Sequence, residues 1–259
     1  MTRDTTRQLI TILAIVATIA INGLANALPL NGQMTGEISD RFEVFFVPAG
    51  YVFSIWGLIY LGLIAYGVYQ ALPSQRENPR LRRIGYLFVW SSVANIAWLF
   101  LWHYEFFALT LAAMLALLLL LIVIYLRLAA KRPPLLSAAR WVVDTPFSIY
   151  LGWITVATIA NATSLLDYLQ WDGWGISPAA WTAVMLGAAV VIAFAMSVTQ
   201  ADVAYLLVLV WAFVGIGVKH AATTAVFMAA WIAVALVVVA IAIALLQTRL
   251  PRTAQAAPR

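Results

Sequence analysis

Aromatic rings and amides at helical spacing are the side chains of this sequence that could do chemistry. Residues three or four positions apart share one face of a helix. The faces of this kind are Trp56 with Tyr60, then Asn95 with Trp98 and Trp102, and then Tyr150, Trp153, Ala157 and Asn161. Aromatic walls with a few polar anchors suit a flat, apolar ligand. Because an amide is costly in hydrocarbon unless it is paired, Asn95 and Asn161 are expected to face a bundle interior.

The same spacings are also typical of plain helix packing, with asparagine as a hydrogen-bonding link between helices. From spacing alone, both interpretations stay open. The sequence has no phosphate-binding glycine loop, no HExxH and no nucleophile elbow. It has no cysteine, and His103 and His220 at span ends make a poor metal site. We therefore assign no catalytic residue and no metal ligand, and we expect no required cofactor.

The composition indicates which solvent surrounds the helices that carry these residues. Hydrophobic residues make up 64% of the chain and charged residues 10%, whereas a soluble domain carries roughly 25% charged residues. Mean hydropathy is +0.96. Long apolar runs such as 109–126 exceed the length of barrel strands. The sequence therefore predicts an all-α, polytopic transmembrane helix bundle in the lipid bilayer.

Hydropathy and turn residues divide the chain into eight predicted spans. Their approximate limits are 8–28, 47–72, 84–102, 106–128, 141–165, 179–198, 203–218 and 222–246. Ala25-Asn26-Ala27 at the end of the first span also resembles a signal-peptidase site, so an uncleaved helix and a cleaved signal both stay open.

Loop charges alternate along the chain and predict its orientation. Basic residues precede span one, follow span eight and fill the loops at 73–83 and 127–140, while the other loops are mostly acidic. Under the positive-inside rule, both termini are cytoplasmic. The net charge of +5 is then a membrane-topology signal, and no nucleic-acid partner is expected. With no disulfides, this pattern fits a bacterial plasma (inner) membrane.

The longest polar loop, at 29–46, is expected to be either a lid over a binding site or a solvated connector. Asp144 is the deepest acid, and Arg140 lies one turn before it, which predicts a local ion pair or a helix-start acid.

Three of the segments described resemble, in order, motifs of the TspO/MBR family, the tryptophan-rich sensory proteins that include the mitochondrial translocator protein. The motifs are prolines leading into W-x-x-x-Y, then N-x-x-W, then Y-x-x-W-x-x-x-A-x-x-x-N. The matching residues are Pro48, Trp56 and Tyr60, then Asn95 and Trp98, then Tyr150, Trp153, Ala157 and Asn161. The family's double proline is reduced here to Pro48, and its aromatic pair after N-x-x-W appears as Trp102-His103.

The resemblance implies a five-helix bundle over 1–170, with a pocket beneath the first extracytoplasmic loop for porphyrins or sterol-like molecules. It implies ligand contacts at Trp56, Tyr60, Trp153 and Ala157, with Asn95 and Trp98 on the facing helix. Three further helices, at 171–248, and a cytoplasmic tail, at 249–259, have no counterpart in the basic family. A homodimer remains an open option.

These observations favour a membrane receptor or carrier for a flat hydrophobic ligand such as a tetrapyrrole. Two other classes stay open. One is a permease for a small hydrophobic molecule, against which stands the absence of evident intramembrane charge pairs. The other is an enzyme that breaks down bound porphyrin, for which the sequence offers no catalytic base.

Overall fold

The structure is a computed structural model that describes residues 2–249, so the predicted tail from residue 250 onward lies outside the described residues. Nine α-helices and no β-strand occur within this range. The helices are α1 (Arg3–Ala27), α2 (Thr35–Asp40), α3 (Ile55–Ala71), α4 (Pro79–His103), α5 (Phe107–Ala129), α6 (Thr145–Tyr168), α7 (Pro178–Gln200), α8 (Val203–Lys219) and α9 (Thr224–Arg249). A 3-10 turn, Gly50–Ser54, leads into α3, and a π turn, Arg140–Asp144, leads into α6.

Local sequence signals explain where several helices begin. Asn78 accepts a hydrogen bond from the backbone N–H of Arg80 at 2.9 Å, just before a proline at the first helical position of α4. Ser177 accepts one from Ala180 at 3.3 Å, again followed by proline. Such caps satisfy backbone donors that a helix start leaves without partners. All eight predicted spans are helical, and their limits lie within about five residues of those expected when the turns Gly50–Ser54 and Arg140–Asp144 are counted with α3 and α6.

Five helices form a closed ring, in the order α1, α4, α5, α6, α3 and back to α1. The middle of its interior is filled by Tyr66, Phe88 and Phe147, whose ring centroids lie 5.1 to 5.9 Å apart in edge-to-face pairs. All three are at most 1% exposed. This aromatic plug closes the middle of the ring.

The last three long helices form a second group, in which α9 packs on both α7 and α8. This group meets the ring mainly through α8, which packs on α6. Gly152 allows the close approach, because a Cβ there would lie 3.1 Å from the carbonyl oxygen of Tyr205 and from Val208.

Helix α1 has a polar face turned inward and an apolar face turned outward. Its buried residues include Gln8, Thr11 and Asn22, while Leu13 and Val16 are 66% and 58% exposed. Water would disfavour this arrangement and a bilayer favours it. Within residues 2–249, seven helical segments are long and apolar enough to cross a membrane, and α8 is a shorter apolar helix. The predicted polytopic membrane bundle is confirmed.

The loops gather at the two ends of the bundle as their charges predict. Arg82 pairs with Asp4 at 2.6 Å, and Arg132 donates to the backbone of Gln200, so the basic loops meet at one end. Gln33 donates to Glu105 at 3.0 Å, and this contact lies at the other end. We call these the basic end and the acidic end.

Candidate functional site

A small cavity of about 70 Å³ lies inside the ring, above the aromatic plug and towards the acidic end. Trp56, Trp98 and Trp153 wall it, and α2 covers it. The lining residues are Thr35, Ser39, Val47, Pro48, Phe53, Trp56, Trp98, Trp102, Met114, Trp153, Val156, Ala157, Ala160, Asn161 and Ser164. The cavity lies beneath the loop at 29–46, which is where the family resemblance implies a pocket.

A second, wider space of about 470 Å³ adjoins this cavity on the side of α1. Asn22 and Asn26 of α1 border it, together with Tyr60. We call it the outer pocket. Its wall is shared with the inner cavity, and the shared residues are Thr35, Phe53, Trp56 and Trp98. These four residues therefore form the boundary between the two spaces.

Aromatic pairs fix the orientation of this wall. Trp56 stacks on Tyr60, with centroids 5.6 Å apart and planes 27° apart. Trp153 meets Trp56 edge-on at 6.4 Å and Phe53 edge-on at 5.6 Å. Such geometries are favourable for aromatic rings. A flat molecule that entered here would meet ring faces already held in place.

Two indole N–H groups of the wall have no hydrogen-bond partner among residues 2–249. They are Nε1 of Trp98 and Nε1 of Trp153, and both atoms are buried. Trp102 differs, because its Nε1 donates to the carbonyl oxygen of Thr35 at 3.1 Å. A buried donor without a partner costs about 1 to 3 kcal/mol. Two residues that line the cavity thus carry buried donors without an acceptor in the described chain.

Two predicted site residues, Asn95 and Tyr150, lie in helix interfaces and not in the cavity lining. Asn95 accepts a hydrogen bond from Nδ2 of Asn22 at 2.8 Å, which links α4 to α1. Its own Nδ2 lacks a partner in the described chain, although the Tyr150 hydroxyl is near enough for a longer, weaker interaction. Tyr150 supports Trp56 edge-on at 5.9 Å. Both residues position the wall from behind.

The other eight predicted residues border one or both spaces. Asn161 lines the inner cavity and also bonds Thr110 of α5, at 3.2 Å. Sequence reasoning missed the other eight residues of the inner lining, which are Thr35, Ser39, Val47, Phe53, Met114, Val156, Ala160 and Ser164. Phe53 could have been found, because it precedes Trp56 by one turn. Thr35 and Met114 stand outside every motif and carry no such signal.

Helix α2 forms a lid with its own small core. Ile38 is fully buried in a cluster with Trp102 and Phe107. The lid is attached at its rim, where the Thr35 hydroxyl contacts Nε2 of His103 at 2.9 Å and Arg41 pairs with Glu105 at 3.1 Å. Hydrogen bonds from Gln33 and Arg41 lower the pKa of the Glu105 carboxyl. The loop at 29–46 was expected to be either a lid or a solvated connector, and its geometry matches a lid.

Helix α8 holds the segment that closes the cavity on its other side. The backbone N–H of Ala49 donates to the carbonyl oxygen of Gly215 at 3.1 Å, and Nε1 of Trp211 donates to that of Val52 at 3.0 Å. A Cβ on Gly215 would lie 2.2 Å from Cγ2 of Val52, so only glycine fits at this contact. The C-terminal group therefore supports the wall residues Pro48 and Phe53.

The turn between α8 and α9 contacts Phe45, shortly before the segment that α8 holds. The His220 ring lies edge-on to Phe45 at 5.1 Å, and burial lowers the pKa of that imidazole. Neither histidine belongs to a metal-binding group, because residues 2–249 contain no cluster of three or more His, Cys, Asp or Glu side chains with suitable geometry.

The predicted local pair of Asp144 with Arg140 is present only at 4.0 Å. The closer partner is Arg80 of α4, at 2.8 Å. Arg132 and Asp202 form a further pair at 3.2 Å. Buried charge pairs therefore exist at the basic end, contrary to the expectation from the sequence, which could not reveal contacts 64 and 70 residues apart.

Comparison with known proteins agrees with this arrangement. A family model described as TSPO-like protein matches residues 8–243. The match reaches into α7, α8 and α9, beyond the motifs quoted from the first 165 residues. No curated protein and no solved structure matches the chain. Because the match spans most of the chain, the chain belongs to the TSPO-like protein family.

Proposed function

We propose that this protein is a membrane receptor or carrier that binds a flat hydrophobic molecule with hydrogen-bond acceptors, such as a porphyrin or another tetrapyrrole. Sterol-like molecules form the nearest alternative ligand class. Trp56 and Trp153 supply ring faces, and the indole N–H groups of Trp98 and Trp153 supply donors.

The unpartnered indoles carry this proposal. Other buried polar atoms also lack partners in the described chain, among them Oγ1 of Thr18 and Oγ of Ser92. Those lie on the buried faces of α1 and α4, outside the lining of the two spaces, whereas Trp98 and Trp153 line a cavity. A ligand that reached the cavity would satisfy both donors and bury apolar area, which are additive gains.

The size of the spaces determines how the ligand would enter. The inner cavity, at about 70 Å³, is too small for a molecule of this class, since ligand pockets measure about 300 to 1,000 Å³. The outer pocket, at about 470 Å³, lies within that range. Rotation of Trp56 and Trp98 would join the two spaces without moving a helix. The ligand would first occupy the outer pocket and then contact Trp153.

The interior of the ring favours ligand binding over passage of a substrate across the membrane. The plug of Tyr66, Phe88 and Phe147 closes the ring below the cavity, and the buried charge pairs lie at helix ends. A permease would need the plug to open. Among the described residues, no Asp, Glu, His or Lys lines the inner cavity, and Glu37 and Asp40 border the outer pocket. The proposal is limited to binding and does not include breakdown of the ligand. We place the basic end in the cytoplasm of a bacterial inner membrane, following the positive-inside rule.

The test is a titration of purified, detergent-solubilised protein with protoporphyrin IX, followed by quenching of tryptophan fluorescence. We expect saturable binding that weakens about tenfold or more in Trp153→Ala, because an aromatic contact and a donor are both lost. Trp181→Ala, in the other helix group, is the matched control and should bind as the parent does. Unchanged affinity in a folded Trp56/Trp153 double alanine variant would rule the site out. Flux in proteoliposomes then separates a carrier from a receptor.

A further inference from the structure

The largest described space lies outside the ligand cavity, in a cleft where the ring meets the C-terminal helices. It measures about 680 Å³. Ile55, Leu58 and Ile149 of the ring form one wall, and Leu207, Trp211 and Leu245 form the other. We call it the lateral cleft. Leu58 and Leu207 are 52% and 54% exposed, so the cleft opens towards the surrounding lipid.

The cleft runs from the basic end to about the middle of the membrane. Its lining on α6 and the preceding turn extends from Arg140 to Ile149, and its lining on α8 from Val203 to Trp211. At 1.5 Å per residue these stretches measure about 12 to 14 Å. One leaflet contributes about half of a 30 Å hydrocarbon core. The cleft therefore matches the depth of a single leaflet.

Charge at the basic end of the cleft is unbalanced. Asp144 is paired with Arg80 at 2.8 Å, and Asp202 with Arg132 at 3.2 Å. Arg140 has only its 4.0 Å contact with Asp144 among the described residues, and its guanidinium donates no hydrogen bond there. Three arginines thus face two carboxylates, which leaves one net positive charge.

We propose that the lateral cleft binds an anionic phospholipid from the leaflet at the basic end. An acyl chain lies between the two helix groups, and the phosphate pairs with Arg140. Trp141, which is 63% exposed, lies beside the headgroup at the depth where tryptophan usually sits. The Asp202 carboxylate also borders the cleft, but its bonds to Tyr125, Arg132 and Ser148 keep it from repelling the phosphate.

The lipid would fill the gap between the ring and the C-terminal group. It would therefore raise the stability of the assembled protein, because a ligand that binds only the folded state stabilises that state. This inference does not depend on the ligand of the inner cavity, and its residues are separate from those that line it.

The experiment measures lipid binding by the whole protein in nanodiscs of phosphatidylcholine with added phosphatidylglycerol. Retained phosphatidylglycerol is counted by native mass spectrometry, and the thermal unfolding midpoint is recorded. We expect retention and a higher midpoint with phosphatidylglycerol. Arg140→Gln should weaken retention about fivefold, the effect of one basic residue near an anionic surface. Arg83→Gln, which removes an exposed charge from the same end outside the cleft, should change little.

A second variant tests the acyl-chain part separately. Ala204→Phe fills the cleft and leaves Arg140 in place, so it should also abolish retention while the protein stays folded. Retention unchanged in Ala204→Phe, or reduced equally by Arg83→Gln and Arg140→Gln, would overturn the proposal. Inorganic phosphate alone should not raise the midpoint; if it did so as strongly as phosphatidylglycerol, the site would hold a free anion and not a lipid.

Discussion

Two sets of buried polar groups in this protein, the Asp202 carboxylate and the indoles of the cavity wall, differ in how far they are satisfied. At the basic end, the Asp202 carboxylate accepts hydrogen bonds from Tyr125 and Ser148, each at 2.7 Å, and pairs with Arg132. In the cavity, the indole N–H groups of Trp98 and Trp153 meet no acceptor in the described chain. A carboxylate with several partners joins helices, whereas a buried donor that lacks an acceptor and belongs to a residue lining a cavity is available to a ligand. The difference separates residues that hold the fold from residues that are available for a ligand.

The largest expected effect on stability comes from removing the Asp202 carboxylate. Asp202→Ala leaves Arg132 buried without its carboxylate, and we expect a loss of about 3 kcal/mol in the free energy of unfolding. Ligand affinity should be unchanged in the fraction that folds. Chemical unfolding in detergent measures the first quantity, and porphyrin titration the second.

Asp202→Asn is the control for this change, because the amide oxygen can still accept from Tyr125 and Ser148. Its loss should be clearly smaller. If the alanine variant were as stable as the parent, the carboxylate would not hold α5, α6 and α8 together, and the contrast between the two sets of groups would fail.

The next effect concerns the contact by which α8 supports the cavity wall. A Cβ in Gly215→Ala would lie 2.2 Å from Cγ2 of Val52, so the 48–53 segment must move. Overpacking of this kind costs about 1 to 3 kcal/mol. Ligand affinity should fall as well, because Pro48 and Phe53 line the cavity. Thermal unfolding and porphyrin titration measure the two losses.

Gly187→Ala in α7 is the matched control, since a Cβ there would meet no atom within 4 Å. It should be neutral or slightly stabilising. A Gly215→Ala variant that lost stability but bound porphyrin as the parent does would mean that α8 has no influence on the site.

The smallest effect concerns the lid. Because Gln33 and Arg41 lower the Glu105 pKa, the carboxylate stabilises the closed lid above the ordinary glutamate value of about 4.3, and this contribution is lost as pH falls through the lowered pKa. Glu105 is 39% exposed, so the effect is small. Hydrogen exchange of residues 33–41 should be faster in Glu105→Gln than in the parent at pH 7.

The two proteins should exchange alike once the pH lies well below 4. Comparison at equal pH cancels the intrinsic pH dependence of exchange and any contribution of His103, which also contacts the lid. A constant difference across the whole range would show that the carboxylate charge plays no part.

The sequence was sufficient for the helices and for seven of the 15 residues that line the inner cavity. Helical spacing and turn residues act locally, so Trp56, Trp153 and Ala157 could be placed on interior faces before the structure was known. Asn95 and Tyr150 were expected at the ligand and lie outside the lining of both spaces, because spacing gives a face but not the depth at which a side chain ends.

Local spacing and turn residues could not predict the contacts between segments far apart in the chain. The pairing of Arg80 with Asp144, and of Gly215 with Val52, joins segments far apart in the chain, and no local pattern records either one. The C-terminal helices, to which the sequence assigned no role, support the cavity through the contact of Gly215 with Val52.

We infer that the free indole donors of Trp98 and Trp153 are available to a ligand, whereas the paired donor of Trp102 stabilises the fold. The most direct test compares Trp153→Phe with Trp102→Phe, in protoporphyrin IX titrations followed at the Soret band and in unfolding experiments. We predict that Trp153→Phe keeps its stability and binds roughly 3- to 10-fold more weakly, while Trp102→Phe loses about 1 kcal/mol of stability. Equal affinities for the parent and Trp153→Phe, or an equal loss of stability in both variants, would contradict the account.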